Sequence, residues 1–303
     1  MIFLTERMTI MNIRLIKGYA FVIISAIIFG CMPLGAKYIY TEGVNSLSLV
    51  FLRNCLALPV LGFLAGKQEG SLHIEKIDLL KISSLTVMGG CATPILLYSS
   101  YHYLASGTAT VFHFIYPVLV VLGSIFFLRE KGSKSVFFCV ILCTVGIILF
   151  YNPQSGIHPG GSMLAIASGA TYAAYIMLLS VYKNDKISGF KLSFYMSAVG
   201  SVILFIVCMI SGQLTLPVTF TGWMISIVFS LILSVGAVVL FQQGTRYIGG
   251  QRAAILSTLE PITSVLVGAL VFQETINART VMGTVLVMIA SILIAVFDNG
   301  QTK

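Results

Sequence analysis

The chain has 303 residues, 57 % of them hydrophobic and only 9 % charged, with a mean hydropathy of +0.99. Soluble domains carry about 25 % charged residues, so this composition excludes a soluble enzyme or binding module and indicates a polytopic membrane protein. The net charge of +8 does not point to nucleic acid, because Lys and Arg are scattered singly between apolar stretches instead of gathered on one polar face.

A bilayer core about 30 Å thick is crossed by about 20 apolar helical residues. Ten stretches qualify, near 17–37, 46–66, 81–104, 107–128, 134–151, 160–182, 190–211, 222–245, 251–272 and 279–297. The first follows Arg7, Arg14 and Lys17 like a signal peptide, and Gly30-Cys31 resembles a lipoprotein cleavage site. Its apolar run continues to Ala36 with nine more spans behind it, so it reads as a transmembrane helix. The second carries Arg53, either a cavity residue or one snorkelling to the headgroups, with Gly62 and Gly66 as packing positions. The third holds Tyr98, and a very short turn near Ser106 makes it an antiparallel hairpin with the fourth, FHFIYPVLVVLGSIFFLRE from Phe112 to Glu130. Cys139 and Cys143 share a face of the fifth helix, but no CxxC or His partner suggests a metal, and all six Cys lie in apolar segments. In the sixth, Gly161, Ala165, Gly169 and Ala173 recur every four residues, a stripe that reads as helix packing. Gln242 and Gln243 lie in the eighth, and the ninth is LSTLEPITSVLVGALVFQE, Leu256 to Glu274.

Charge placement tests the count. With a cytoplasmic N-terminus, the inside segments hold Arg7, Arg14, Lys17, Lys67, Lys76, Lys81, Arg129, Lys131, Lys134, Lys183, Lys186, Lys191, Arg246, Arg252 and Lys303, while the outside holds Lys37 and Arg279. This asymmetry is the positive-inside signature of ten spans with both termini cytoplasmic.

The fourth and ninth helices are twins 144 residues apart, with Tyr103 falling on Tyr247, Ala109 on Ala253, Pro117 on Pro261 and Glu130 on Glu274. Each repeat, 17–151 and 160–297, therefore contributes five helices. Five is odd, so two such units in series sit in the membrane with opposite orientation, the inverted-repeat arrangement of many secondary transporters. The expected fold is an all-α membrane protein of ten transmembrane helices in two inverted five-helix repeats.

An ionisable side chain at mid-membrane is costly and by default functional. Glu260 is the clearest such residue. Ser257 and Ser264 share its face at helical spacing, and His113 and Tyr116 occupy the positions of Ser257 and Glu260 on the twin helix. Pro117 and Pro261 each remove an N–H and free carbonyls one turn upstream, to accept from a substrate or support a kink. Three readings of Glu260 stand open: a proton carrier, a partner for a substrate ammonium, or a structural partner of Arg53 or another cation. Tyr98 and Gln242 occupy matched positions and read as cavity lining or as interhelical hydrogen-bonders. Glu130 and Glu274, at helix ends, mark boundaries or form salt bridges, with gating as the minority reading.

FGCMPLGAKY in the first helix, FLRNCLA in the second, FIYPVL with LRE, and TLEPITS with FQE resemble the EamA family of the drug/metabolite transporter superfamily, over Lys17 to Phe297. Phe29 stands where many relatives carry Trp. The resemblance implies two EamA repeats around a central cavity open alternately to each side, and an exporter in the cytoplasmic membrane.

The function expected is secondary active transport of a small organic metabolite such as an amino acid or amine by alternating access. The alternative is an intramembrane enzyme, but no paired carboxylates, Ser/His arrangement or HExxH helix appears. The absence of a GxxxxGK[ST] loop argues against ATP as the drive within this chain. No cofactor or metal is expected; the partners expected are the metabolite and the lipid bilayer, with the chain a monomer or homodimer.

Overall fold

A computed structural model describes residues 2–127, 158–182, 187–248 and 259–298, with scattered positions at 138–149 and 253–257. No strand occurs among the described residues. Where no water reaches the backbone, every N–H and C=O must be satisfied within the segment, and helices do this without a partner.

The first apolar segment is bent, with α1 (Ile2–Gly30) ending one residue before α2 (Met32–Thr41), whose first turn holds Pro33. Next come α3 (Ser46–Glu69), α4 (Lys76–Leu85) and α5 (Thr93–Ser100), then α6 (Ser106–His113) and α7 (Tyr116–Phe127). The remaining helices are α8 (Pro159–Val181), α9 (Gly189–Ser211), α10 (Phe220–Ser230), α11 (Val238–Ile248), α12 (Leu259–Phe272) and α13 (Ala278–Asp298). Two π-helical segments, Thr86–Ala92 and Leu231–Ala237, splice α4 to α5 and α10 to α11. Among the described residues, seven helical segments are long and apolar enough to cross a membrane, and Leu259–Phe272 and Ala278–Ala290 are shorter apolar helices. The expected fifth span lies mostly outside the described residues, so the expected count of ten is not reached among them.

The outer surface is apolar as well as the core. Phe63, Phe127, Ile210 and Leu270 lie on the outer surface, 69–84 % exposed, while Ser25, Arg53, Ser168 and Glu260 are buried. A ring of large apolar side chains this exposed would be an association site in water and is an ordinary surface in hydrocarbon.

Helix pairing follows a swapped pattern. The first helix packs on α11 and α12, from the second half of the chain, while α8, which opens that second half, packs on α5, α6 and α7. Two pairs join the halves: α3 packs on its counterpart α9, and α6, from the fourth expected span, packs on α12, from its twin the ninth. Close approach is achieved with glycine. A Cβ on Gly169 would stand 2.5 Å from the His113 carbonyl oxygen, and one on Gly30 would stand 2.7 Å from that of Glu260. The small-residue stripe of α8 is therefore packing, with Ala165 and Ala173 fully buried along it. Gly62 meets the Phe194 ring, but Gly66 faces open space with nothing within 4 Å, so the expectation of packing fails there.

Each end of the bundle is stitched by polar contacts. At one end Lys37 Nζ lies 2.7 Å from Glu274 Oε1, Asn45 Nδ2 donates to the Gln213 carbonyl, and the Thr219 hydroxyl donates to Glu42. At the other, Lys191 Nζ lies 2.9 Å from Glu69 Oε2, the Ser188 N–H donates to Glu69, and Arg246 donates to the Ile187 carbonyl.

Candidate functional site

Both proline positions break their helices. Pro117 lies in the first turn of α7, and the chain turns at Phe114 and Ile115 after α6 ends at His113. Having no N–H, Pro117 leaves the His113 carbonyl without its helical partner. That oxygen faces the backbone of α8 at Gly169, which puts it in a helix contact instead of offering it to a substrate. Pro261 likewise sits in the first turn of α12, after a turn at Ser257. The breaks bring His113 and Glu260 to the ends of short helices, where their side chains point into the bundle.

A cavity lined by residues of both halves lies between them. Of the residues singled out from sequence, Arg53, Tyr98, His113 and Glu260 line it, as does Phe29. Glu260 is 7 % exposed, and no cation stands within ion-pair distance of it among the described residues. A structural pairing of Glu260 with Arg53 is therefore not formed. Arg53, 8 % exposed, does not snorkel to a headgroup region; its Nη1 donates to Tyr98 Oη at 3.0 Å inside the bundle. The His113 Nδ1 lies 2.8 Å from the Ser168 hydroxyl, and its ring packs against those of Tyr116 and Tyr172.

Three other residues singled out from sequence as substrate- or proton-binding candidates, Gln242, Ser257 and Tyr116, sit behind the wall. Gln242 is held between helices, accepting from the Ser193 hydroxyl at 3.2 Å and donating to Tyr175 Oη at 3.4 Å. Ser257 donates to the Ala253 carbonyl one turn back, satisfying itself on its own helix. Tyr116 is 2 % exposed, beside Ser257 and edge-on to Tyr172 at 4.8 Å between ring centres. Ser264, on the Glu260 face, meets the Thr110 hydroxyl of α6 at 2.9 Å and joins the twin helices directly.

Sequence reasoning missed Asn54, Thr93, Tyr175, Ser193 and Ser197, all of which line the cavity. It also missed the π segments. The first is legible afterwards: Pro94 has no N–H to give the Gly90 carbonyl, which accepts instead from Asn54 Nδ2 at 3.4 Å. Gly89 and Gly90 of this π segment line the cavity, and such bulges are frequent at functional sites. The second segment contains no proline, and the hydroxyls of Ser230 and Ser234 donate to the Arg53 carbonyl across the helix contact.

Glu274 belongs to an end of the bundle. It accepts from Lys37 at 2.7 Å, from the Ser106 N–H at 3.0 Å and from the Ser106 hydroxyl at 2.7 Å, so it caps α6 from another chain segment. Burial works against its charge, but these donors outweigh it and hold the carboxyl below its ordinary range. Lys37 is therefore at the rim and not in the cavity, with its ammonium 4.4 Å from the centre of the Phe272 ring. Glu130, the matched acid, lies outside the described residues. No cluster of three or more metal-ligating side chains occurs among the described residues.

Comparison with known proteins fits this architecture. A crystal structure superposes with a TM-score of 0.65 at 13 % identity, over 94 % of this chain and 99 % of that one, showing a shared fold. An uncharacterised transporter of Archaeoglobus fulgidus is 26 % identical over 92 % of this chain and 96 % of its own length. The uncharacterised inner membrane transporter YicL of Salmonella typhimurium is 25 % identical over 95 % of this chain and 98 % of its own length. The pseudopaline exporter CntI of Pseudomonas aeruginosa is 22 % identical over 83 % and 87 %. The profile of the EamA-like transporter family matches twice, at residues 16–152 and 159–296, which together take in nearly the whole chain. Two matches in tandem, on either side of a cavity built from both halves, place the chain in the EamA-like transporter family.

Proposed function

We propose that the chain is a secondary active exporter of a small organic metabolite, an amino acid or amine, working by alternating access across the cytoplasmic membrane. Its scaffold is ten transmembrane helices in two inverted repeats, 17–151 and 160–297, with both termini cytoplasmic. The swapped pairing of α1 with α11 and of α8 with α5 supports this, since a pseudo-twofold axis in the membrane plane exchanges those pairs. Under this orientation the Lys37–Glu274 end is the outer gate and the Lys191–Glu69 end the inner one.

The observation that carries the proposal is Glu260, a buried carboxylate on the cavity wall with no cation beside it among the described residues. An uncompensated charge at that depth is stable only when protonated or met by a cationic ligand. Either state couples its charge to the occupancy of the cavity, as a carrier requires. His113, Tyr98 and Arg53 belong to the polar part of the wall, with Tyr116, Ser257 and Gln242 fixing the helices behind it.

The test is uptake of a labelled amino-acid and amine mixture into vesicles containing the purified chain, with and without an imposed pH gradient. The wild type is expected to show saturable uptake that responds to the gradient, and Glu260→Gln to lose that response. A full gradient response in the variant, or turnover of a membrane substrate without vectorial movement, overturns the proposal.

A further inference from the structure

The cavity has a second charged pole that carrier function alone does not require. Arg53 lies on α3, opposite in sign to Glu260 on α12, and both line the same space without touching. A guanidinium cannot shed its proton at any accessible pH, so burial without a counter-ion has to be offset in some other way. Among the described residues the only hydrogen bond Arg53 donates goes to neutral Tyr98, and its Nε is buried without a partner. Nor can the side chain easily withdraw. Its own carbonyl accepts from Ser230 at 2.5 Å and Ser234 at 3.5 Å, fixing α3 at this residue, and Tyr98 is itself fully buried.

We propose that Arg53 is the carboxylate-binding residue of the cavity, held in place by Tyr98, and that the cargo is a zwitterion with its ammonium at Glu260. This rests on the transport reading and narrows it. The planar donor edge of Arg53 matches a carboxylate in two-point geometry. An α-amino acid supplies one charge to each pole, leaving neither buried alone. A simple amine would satisfy Glu260 and abandon Arg53; a phosphorylated cargo would bring two negative charges to one cation and face repulsion from Glu260. The remaining wall, with Phe29, Tyr172 and Phe241, offers apolar and aromatic surface to the rest of the molecule.

The test compares three matched sets of probes: amino acids, the amines left by removing the carboxylate, and the acids left by removing the amine. Phenylalanine, phenethylamine and 3-phenylpropionate form one set, and leucine, isopentylamine and 4-methylpentanoate another; glutamine and its two counterparts complete the panel. Thermal shift of the detergent-purified full chain reads binding, and vesicle counterflow reads transport. The wild type is expected to bind at least one amino acid at least tenfold more tightly than its amine. Arg53→Gln is expected to weaken the amino acid roughly 10- to 100-fold, the range for a charge-assisted hydrogen bond, while changing the amine less than threefold. Arg53→Lys, which keeps the charge without the donor fork, should recover only part of the affinity.

Wild-type binding of amines as tight as that of the matched amino acids overturns the carboxylate assignment, and this comparison needs no folded variant. Transport of amines under that outcome leaves the carrier reading standing. If no probe in any set is bound or transported by the wild type, both proposals fall together.

Discussion

Replacing Glu274 by Gln isolates what its charge contributes at one end of the bundle. The carboxylate accepts from the Lys37 ammonium and from both the N–H and the hydroxyl of Ser106, with side-chain exposures of 24 % for Lys37 and 16 % for Glu274. A net hydrogen bond to a charged group stabilises by about 1.5–3 kcal/mol and a helix cap by about 1 kcal/mol. The amide keeps part of the cap, and solvent at this rim screens the ion pair, so about 2 kcal/mol is expected at pH 7. In a chain of this size that corresponds to roughly 2–5 °C in Tm. The carboxyl is held below its ordinary range in the folded state, so its contribution is complete above the unfolded carboxylate value and disappears as pH falls through the lowered folded one. Melting curves of wild type and variant in detergent, taken from pH 7 down to pH 3, should therefore converge at the acid end. Equal Tm values at pH 7, or a gap that widens on acidification, would refute the reasoning.

The glycine contacts make a paired prediction: Gly169→Ala, whose new Cβ meets the His113 carbonyl at 2.5 Å, should cost about 1–3 kcal/mol, while Gly66→Ala, facing open space, should leave Tm within about 1 °C. A Gly169→Ala protein as stable as wild type would mean that α8 and α6 are farther apart than described. A double-mutant cycle on Thr110→Ala and Ser264→Ala should return about 0.6 kcal/mol, the usual size of an interhelical hydrogen bond between membrane helices. A coupling indistinguishable from zero would show that this contact does not join α6 to α12. Of the experiments above, Glu260→Gln reads the response to the gradient and Arg53→Gln the recognition of the cargo's carboxylate.

How much of this was legible beforehand varies from residue to residue. The sequence alone determined that the chain is helical and membrane-embedded, where its apolar segments lie, that its halves repeat, and that Pro117, Pro261 and Glu260 mark the interior. These follow from local physics: hydrocarbon demands apolar helices about 20 residues long, proline has no N–H wherever it occurs, and an acid amid apolar residues stands out by its cost. Depth along a helix is set by residue number, but facing is set by the neighbour. Only the tertiary structure decided that Arg53 turns into the cavity and not to the headgroups, that Gln242 is spent on Ser193 and Tyr175, and that Lys37 reaches Glu274 from 237 positions away. It alone placed Asn54, Thr93 and Ser197 in the wall, because a small polar residue signals nothing until the opposing helix is known. The π segments belong to the same class, since an i→i+5 turn is rare and no residue pattern shared by the two segments announces it.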